Sequence, residues 1–411
     1  MKSSPKLLIV ANIGLFFSKF LYPHADHFRR LGWRVDGAAA DASSYSEAHE
    51  HFDQLFDIEW TRNPLDPQNH FFRAIEQVRR LVQRERYDIV HVHTPTPAFI
   101  VRYALRNLNP LVRPKVIYTA HGFHFHPKGK WLKNLVFRAL ERTAGSWTDH
   151  LVVMNEEDYA AANRHRIVKP ENLWYMPGIG VDLHRYTPDL LGGEAAVARV
   201  RAELGLSPDQ PTFLMAAEFI PRKRHKDAVL AFAALKHPRA RLLLAGQGKL
   251  LEPIKKLVQQ MGLAERVHFL GWRQDIPALI QAASATLLTS EQEGLPRAIM
   301  ESLCMGVPVI GTDIRGAHEL IREGCGWLVE VGDVRAIAEA MEWVIAHPNM
   351  AKAMGQRGRE RMKTYDLRLV LSLHEQLYAK VLYGVPRTLS DLFDWESLEL
   401  PSDLPLPRHT G

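Results

Sequence analysis

The sequence predicts an α/β protein built from two doubly wound parallel-sheet domains, and three observations predict it. A length of 411 residues exceeds one ordinary hydrophobic core. Short apolar runs alternate with longer helical patterns, which is how the βαβ units of a parallel sheet read. The alternation breaks near Pro188–Gly193 and then restarts, so the second half repeats the architecture of the first without repeating its sequence.

In the first half the strands are expected at Leu7–Asn12, Arg34–Ala39, Asp88–His93, Val116–His121 and His150–Asn155. Their apolar residues run together rather than strictly alternating, as strands covered on both faces require. The apolar stretch after Met1–Lys6 is short and shows no small-residue cleavage pattern, so it reads as a buried first strand rather than a signal peptide. Phe71–Arg86 has the period of an amphipathic helix with a basic outer face. Lys128–Arg142 interleaves lysine and arginine with Trp131, Leu132, Leu135, Val136, Phe137 and Leu140. That pattern admits two readings, a helix lying on an anionic membrane surface or a core-facing helix with a solvated basic back.

The second half repeats the grammar at Thr212–Ala217, Arg241–Gly246, Arg266–Gly271, Thr286–Ser290 and Val307–Gly311. Met362–Tyr383 reads as helix, and the acidic, proline-bearing Asp391–Gly411 reads as extended or disordered. The expected division is residues 1–190, 191–360, a helix in 361–385 and a tail from 386 to 411. In doubly wound sheets ligands bind beyond the carboxyl ends of the strands. That rule singles out Asn12–Gly14, His93, His121, Glu218, Gly246–Gly248 and Ser290–Pro296.

Composition narrows the function. Hydrophobic residues make up 46% and charged residues 24%, as in soluble globular proteins, and no apolar run reaches transmembrane length. Two cysteines, Cys304 and Cys325, form no CxxC pair, which argues for a reducing compartment and against a thiolate metal site. The net charge of +6 fits phosphate-bearing ligands or an acidic membrane face. No zinc finger or RNP-type strand points to nucleic acid.

The chemistry concentrates at Ser290–Glu301. Glu293 lies in the loop after an apolar strand, and Pro296 is placed to open a helix that Gly306 closes. The amides of Gly294, Leu295 and Arg297 would then point out of a helix N-terminus, which attracts anions. Glu301 sits one turn into that helix on a small apolar flank, where a carboxylate needs a partner such as a pair of ribose hydroxyls. Taken alone, Glu293 could merely cap the helix and Glu301 could be solvated.

Ser290-x-x-Glu293-Gly294-Leu295-Pro296-x4-Glu301, followed by Gly306-x-Pro308, resembles the E-x7-E region of retaining GT-B glycosyltransferases of family 4. Asp88–His93, Tyr118–Phe125, Thr148–His150 and Gly178–Asp182 resemble the members that build bacterial exopolysaccharide and capsule repeat units. The likeness spans roughly residues 6–380. It implies a GT-B fold with a C-terminal helix crossing back to the first domain. It also implies transfer of a hexose or N-acetylhexosamine from a nucleotide sugar, with UDP the expected nucleotide, to a polyprenyl-diphosphate-linked saccharide. By the same resemblance, Glu293 holds donor-sugar hydroxyls, Glu301 binds ribose, Lys223 neutralises the diphosphate and His121 reaches the donor sugar. The sequence departs from the family at Ala217-Glu218, where many members have Gly-Arg; Arg222 or Arg224 is left to replace that arginine.

Other readings stay open. His121 could cap a strand end, and Gly14 could hold the backbone open near acceptor and phosphate or be an ordinary turn glycine. His91, His93, His121, His124 and His126 have no carboxylate or cysteine at ligand spacing, and no Asp-x-Asp follows a strand, so neither a metal centre nor a metal cofactor is expected. Gly246-Gln247-Gly248 lacks the full dinucleotide fingerprint, which disfavours a dehydrogenase. The expected location is cytoplasmic, at the inner face of the membrane. The alternative function is a non-catalytic nucleotide-sugar-binding partner in a polysaccharide assembly complex.

Overall fold

The computed structural model describes residues 4–61, 70–126, 129–188 and 193–384. Lys128, much of the expected 188–193 seam and the acidic tail lie outside them. The chain divides into two units, one holding residues up to Ile179 together with those from Leu369 onward, the other spanning Gly180–Arg368.

The first unit contains a seven-stranded sheet, β1 (Lys6–Val10), β2 (Arg34–Ala39), β3 (Leu55–Asp57), β4 (Ile89–His93), β5 (Lys115–Ala120), β6 (His150–Val153) and β7 (Leu173–Tyr175), in the order 3-2-1-4-5-6-7. Every pairing is parallel. Successive side chains go to opposite faces. Leu8, Val10, Val90, Val92, Val116 and Tyr118 therefore share one core with the helices Phe71–Glu85 and Pro95–Leu105. Leu7, Ile9, Ile89 and Ile117 share the other core with Phe17, Phe28, Leu377 and Tyr378. The helix Leu367–Tyr383 thus packs its later turns into the first unit. Pro23 lies within a continuous helical run from Gly14 to Arg30, just after a wide π-turn at Phe17–Leu21 that accommodates its missing donor.

The second unit contains β8 (Thr212–Ala216), β9 (Arg241–Ala245), β10 (Val267–Gly271), β11 (Ala285–Leu288), β12 (Val309–Thr312) and β13 (Gly326–Val329), in the order 10-9-8-11-12-13. Its pairings are also parallel. Both sheets are doubly wound, and their winding reverses between β1 and β4 and between β8 and β11.

Three short strands, β3, β7 and β13, went unpredicted, and two expectations need correction. The division falls before the expected 188–193 break, because Val181 pairs with Asp366 and Tyr186 is buried in the second unit's core. Met362–Tyr383 is not one helix. Met362 ends the helix Pro348–Met362, a 3-10 turn follows at Lys363–Tyr365, and the last helix starts at Leu367.

Candidate active site

In the second unit the loops after β8 and β11 meet at the point of reversed winding. Glu291 N–H donates to Arg222 O (2.9 Å), and the Thr289 hydroxyl donates to Lys223 O (2.9 Å) with Arg224 O at 3.1 Å. This lacing holds the 3-10 turn Pro221–Lys223 against Ser290–Glu293. Lys223 Nζ lies 2.5 Å from Glu293 Oε1, and Arg222 Nη1 lies 3.1 Å from Oε2 and also donates to Gln292 O at 3.1 Å. Arg315 Nε donates to Glu293 O at 3.3 Å. Burial works against ionisation of Glu293, but the charges of Lys223 and Arg222 outweigh it and hold the carboxyl below the usual glutamate range.

Geometry separates Arg222 from Arg224. Arg224 takes a left-handed conformation (φ 51°) and donates from Nε to Asp227 Oδ2 (2.6 Å), with Glu291 3.8 Å from Nη1. Arg222 is the arginine brought to Glu293. Glu218 is exposed.

Pro296 is not the first helical residue but the extended N-cap (φ −74°, ψ 110°) of the helix Arg297–Cys304. The first helical amide is therefore that of Arg297, with Gly294 and Leu295 in the turn before it. Gly306 closes this segment in a left-handed conformation (φ 71°).

Glu301 has partners within the chain, as a carboxylate on an apolar flank requires. The Tyr186 hydroxyl donates to Oε1 at 2.6 Å, and Arg297 Nε lies 2.8 Å from the same oxygen. The carboxylate edges a recess whose walls include Leu214, Ala216, Ile276, Ile280 and Ala298. Sequence reasoning missed Tyr186 because it precedes Glu301 by 115 residues and shares no motif with it. Tyr186→Phe should cost about 1–2 kcal/mol of stability, read by denaturant unfolding, because it removes a donor from a largely buried carboxylate.

In the first unit, β4 and β5 carry a buried row of polar rings. Ile89, His91 and His93 alternate onto the face opposite Val90 and Val92. His93 Nδ1 is 3.0 Å from His121 Nε2, and the His91 and His93 rings stack at 4.3 Å. His91 Nε2 is 2.7 Å from Thr119 Oγ1, and its Nδ1 is 2.5 Å from the Tyr378 hydroxyl. His374 stands edge-on to His24 at 4.9 Å. Burial, with a lesser push from His374, lowers the His121 pKa to about 4, so this imidazole is neutral near pH 7. Among the described residues no His, Cys, Asp and Glu group has the arrangement of a metal site.

Gly14 has a local packing reason. A side chain there would collide with the Tyr45 ring, and the Gly14 amide donates to Asp41 Oδ1 at 2.6 Å. Gly246 and Gly248 likewise leave room for the backbone at Ala217 and Phe219.

Known proteins share these elements. The model of glycosyltransferase family 4 matches residues 18–185, and that of glycosyl transferases group 1 matches 197–361. A Bacillus subtilis protein named "Putative glycosyltransferase EpsD" is 34% identical over 360 residues, covering 86% of this chain and 91% of that protein. An Escherichia coli UDP-Gal:alpha-D-GlcNAc-diphosphoundecaprenol alpha-1,3-galactosyltransferase is 30% identical, covering 66% of this chain and 69% of the relative. Among solved structures, Anabaena HepE in complex with UDP-glucose superposes with a TM-score of 0.72 at 20% identity, over 91% of this chain and 99% of that one. WaaG, a glycosyltransferase involved in lipopolysaccharide biosynthesis, superposes with a TM-score of 0.70 at 17% identity, over 92% of this chain and 100% of that one. These structural likenesses carry the fold, and the sequence relatives carry the family. The chain belongs to the GT-B glycosyltransferases of family 4.

Proposed function

We propose that this glycosyltransferase moves a hexose or N-acetylhexosamine, with retention of configuration, from a UDP-sugar to a polyprenyl-diphosphate-linked saccharide in exopolysaccharide, capsule or O-antigen synthesis. The observation that carries the reading is the convergence of Lys223, Arg222 and Glu293 beside the helix Arg297–Cys304. Two cations at a helix N-terminus stabilise a departing diphosphate without a divalent metal. Arg222 takes the place of the arginine absent at Glu218. Glu293 holds donor-sugar hydroxyls, with the amides of Gly294 and Leu295 approaching the sugar and diphosphate and Pro296 fixing the turn. Glu301, oriented by Tyr186, accepts the ribose hydroxyls at the edge of the apolar recess. In the first unit His121 presents a neutral imidazole just beyond the carboxyl end of β5. The diphosphoundecaprenol acceptor named for the Escherichia coli relative and the UDP-glucose held by HepE support this choice of partners.

The reading is tested by following nucleoside diphosphate release and the transfer of radiolabelled sugar into a lipid extract. Both should persist in chelator and fall by about 10²–10³-fold in Glu293→Ala. Release that continues unchanged in that variant contradicts the site.

The acceptor's lipid carrier calls for a membrane-facing surface, and we infer that the helix Trp131–Gly145 forms it. No helix among the described residues is long and apolar enough to cross a membrane. The helix faces inward through Phe137 and Ala144 and through Glu141, which pairs with the buried Arg102 at 3.2 Å. Its other side exposes Trp131 (75%), Leu132 (57%), Leu135 and Val136, flanked by Lys130, Lys133, Arg138 and Arg142. That exposure supports the membrane-lying reading of the apolar stripe over the core-facing one. A basic-edged apolar face fits an anionic bilayer surface. Trp131→Glu with Leu135→Glu should lower sedimentation with phosphatidylglycerol vesicles about ten-fold, while nucleotide binding is unchanged. Equal sedimentation of the variant and the parent protein contradicts this surface.

A further inference from the structure

Glu293 makes direct ion pairs with both cations that the proposed reading assigns to the donor diphosphate. Lys223 Nζ is 2.5 Å from Oε1 and Arg222 Nη1 is 3.1 Å from Oε2. The Glu293 and Lys223 side chains are only 11% and 14% exposed, so water screens this pairing weakly. A carboxylate and a terminal phosphate aimed at the same two cations compete. A nucleotide sugar and a free nucleoside diphosphate differ at this position. In the former the β-phosphate is esterified and bears a neutral, hydroxyl-rich sugar; in the latter it is an unesterified phosphate with a further negative charge.

We propose that Glu293 discriminates between substrate and product, accepting hydroxyls of the donor sugar while that sugar is attached and competing with the free terminal phosphate for Lys223 and Arg222 once it has left. The carboxylate then favours entry of nucleotide sugar and departure of nucleoside diphosphate. It stays ionised throughout the neutral range because the same two cations hold its pKa down against the effect of burial. Arg222, at 41% exposure, is the freer of the two cations and can swing between carboxylate and phosphate, whereas Lys223 is held by the lacing of its turn. This inference rests on the reading that places the diphosphate at Lys223.

The test is isothermal titration of the full chain with UDP and, separately, with UDP-glucose, or with GDP and GDP-mannose if the uridine pair does not bind. Glu293→Gln keeps the shape and removes the charge. It should bind the free diphosphate about ten-fold tighter than the parent protein, while the nucleotide sugar binds no tighter. The gain should vanish in a Lys223→Met background, because the contested cation is gone. If Glu293→Gln yields no folded protein by circular dichroism, Glu293→Ser carries the same expectation. Unchanged or weaker diphosphate binding in the charge-removing variant overturns the proposal. Failure of the underlying reading looks different: Lys223→Met alone would then leave diphosphate affinity unaltered.

Discussion

Lys223→Met is expected to lower kcat/KM for glycosyl transfer by about 10²–10³-fold, the scale of losing one preorganised charge at a developing anion. The Lys223 side chain is 14% exposed, so its charge acts at low effective dielectric, and the turn Pro221–Lys223 is fixed by Thr289 and Glu291. Arg222 cannot fully replace it, being 41% exposed and therefore more strongly screened by water. The substitution also leaves Glu293 with a single cationic side-chain partner. A modest loss of stability, about 1–2 kcal/mol after allowance for partial exposure, should accompany the kinetic defect. Steady-state kinetics beside denaturant unfolding separate the two effects. Lys223→Arg should recover part of kcat/KM, since it restores charge with a different shape. Activity within five-fold of the parent protein in Lys223→Met contradicts the role given to this lysine.

The second large effect concerns acid. His24, His91, His93, His121 and His374 are all kept below the ordinary histidine pKa by burial, with smaller contributions from one another's charge. For His121 and His374 the folded value is about 4, against 6.5 in the unfolded chain. A depressed histidine pKa means that the unfolded state binds the proton first. Stability from these groups is therefore complete above pH 6.5 and is lost as pH falls toward 4. Each such histidine steepens the loss by about 1.4 kcal/mol per pH unit within that window. Several acting together should unfold the first unit near pH 5, while it is stable at pH 7.5. Denaturant midpoints measured across this range check the effect, and His374→Phe should flatten the slope. Equal midpoints at pH 7.5 and pH 5 would show that the buried rings do not resist protonation.

Much of the fold was legible because parallel strands buried on both faces leave continuous apolar runs. β2 was read at its observed bounds, Arg34–Ala39, and β1, β4, β5, β8 and β9 to within two residues. β3 and β7 have three residues each and β13 has four, too few for a period to register. Glu293, Lys223 and Glu301 were legible as motif residues, but their partners were not. Tyr186 reaches Glu301 only through the tertiary fold, and nothing local told Arg222 from Arg224. The choice came from the left-handed backbone of Arg224, which turns its guanidinium to Asp227. The His91–His93 pair was visible as alternation, whereas its contacts with Tyr378 and His374 depend on a helix nearly 300 residues later. The amphipathic helix had the same limit. Its sequence held an apolar stripe without telling which side the core would take, and in the fold the Arg102–Glu141 pair draws the opposite side inward.

The claim at the centre of this account is that the turn at Lys223 and the loop at Glu293 hold a nucleotide sugar. A crystal structure of the protein with a bound nucleoside diphosphate sugar tests it most directly. The account predicts phosphate oxygens within hydrogen-bonding distance of Lys223 Nζ and the Arg222 guanidinium, with ribose hydroxyls on Glu301. A nucleotide bound elsewhere, with the Lys223–Glu293 pair intact and Glu301 touching only Tyr186 and Arg297, would contradict it.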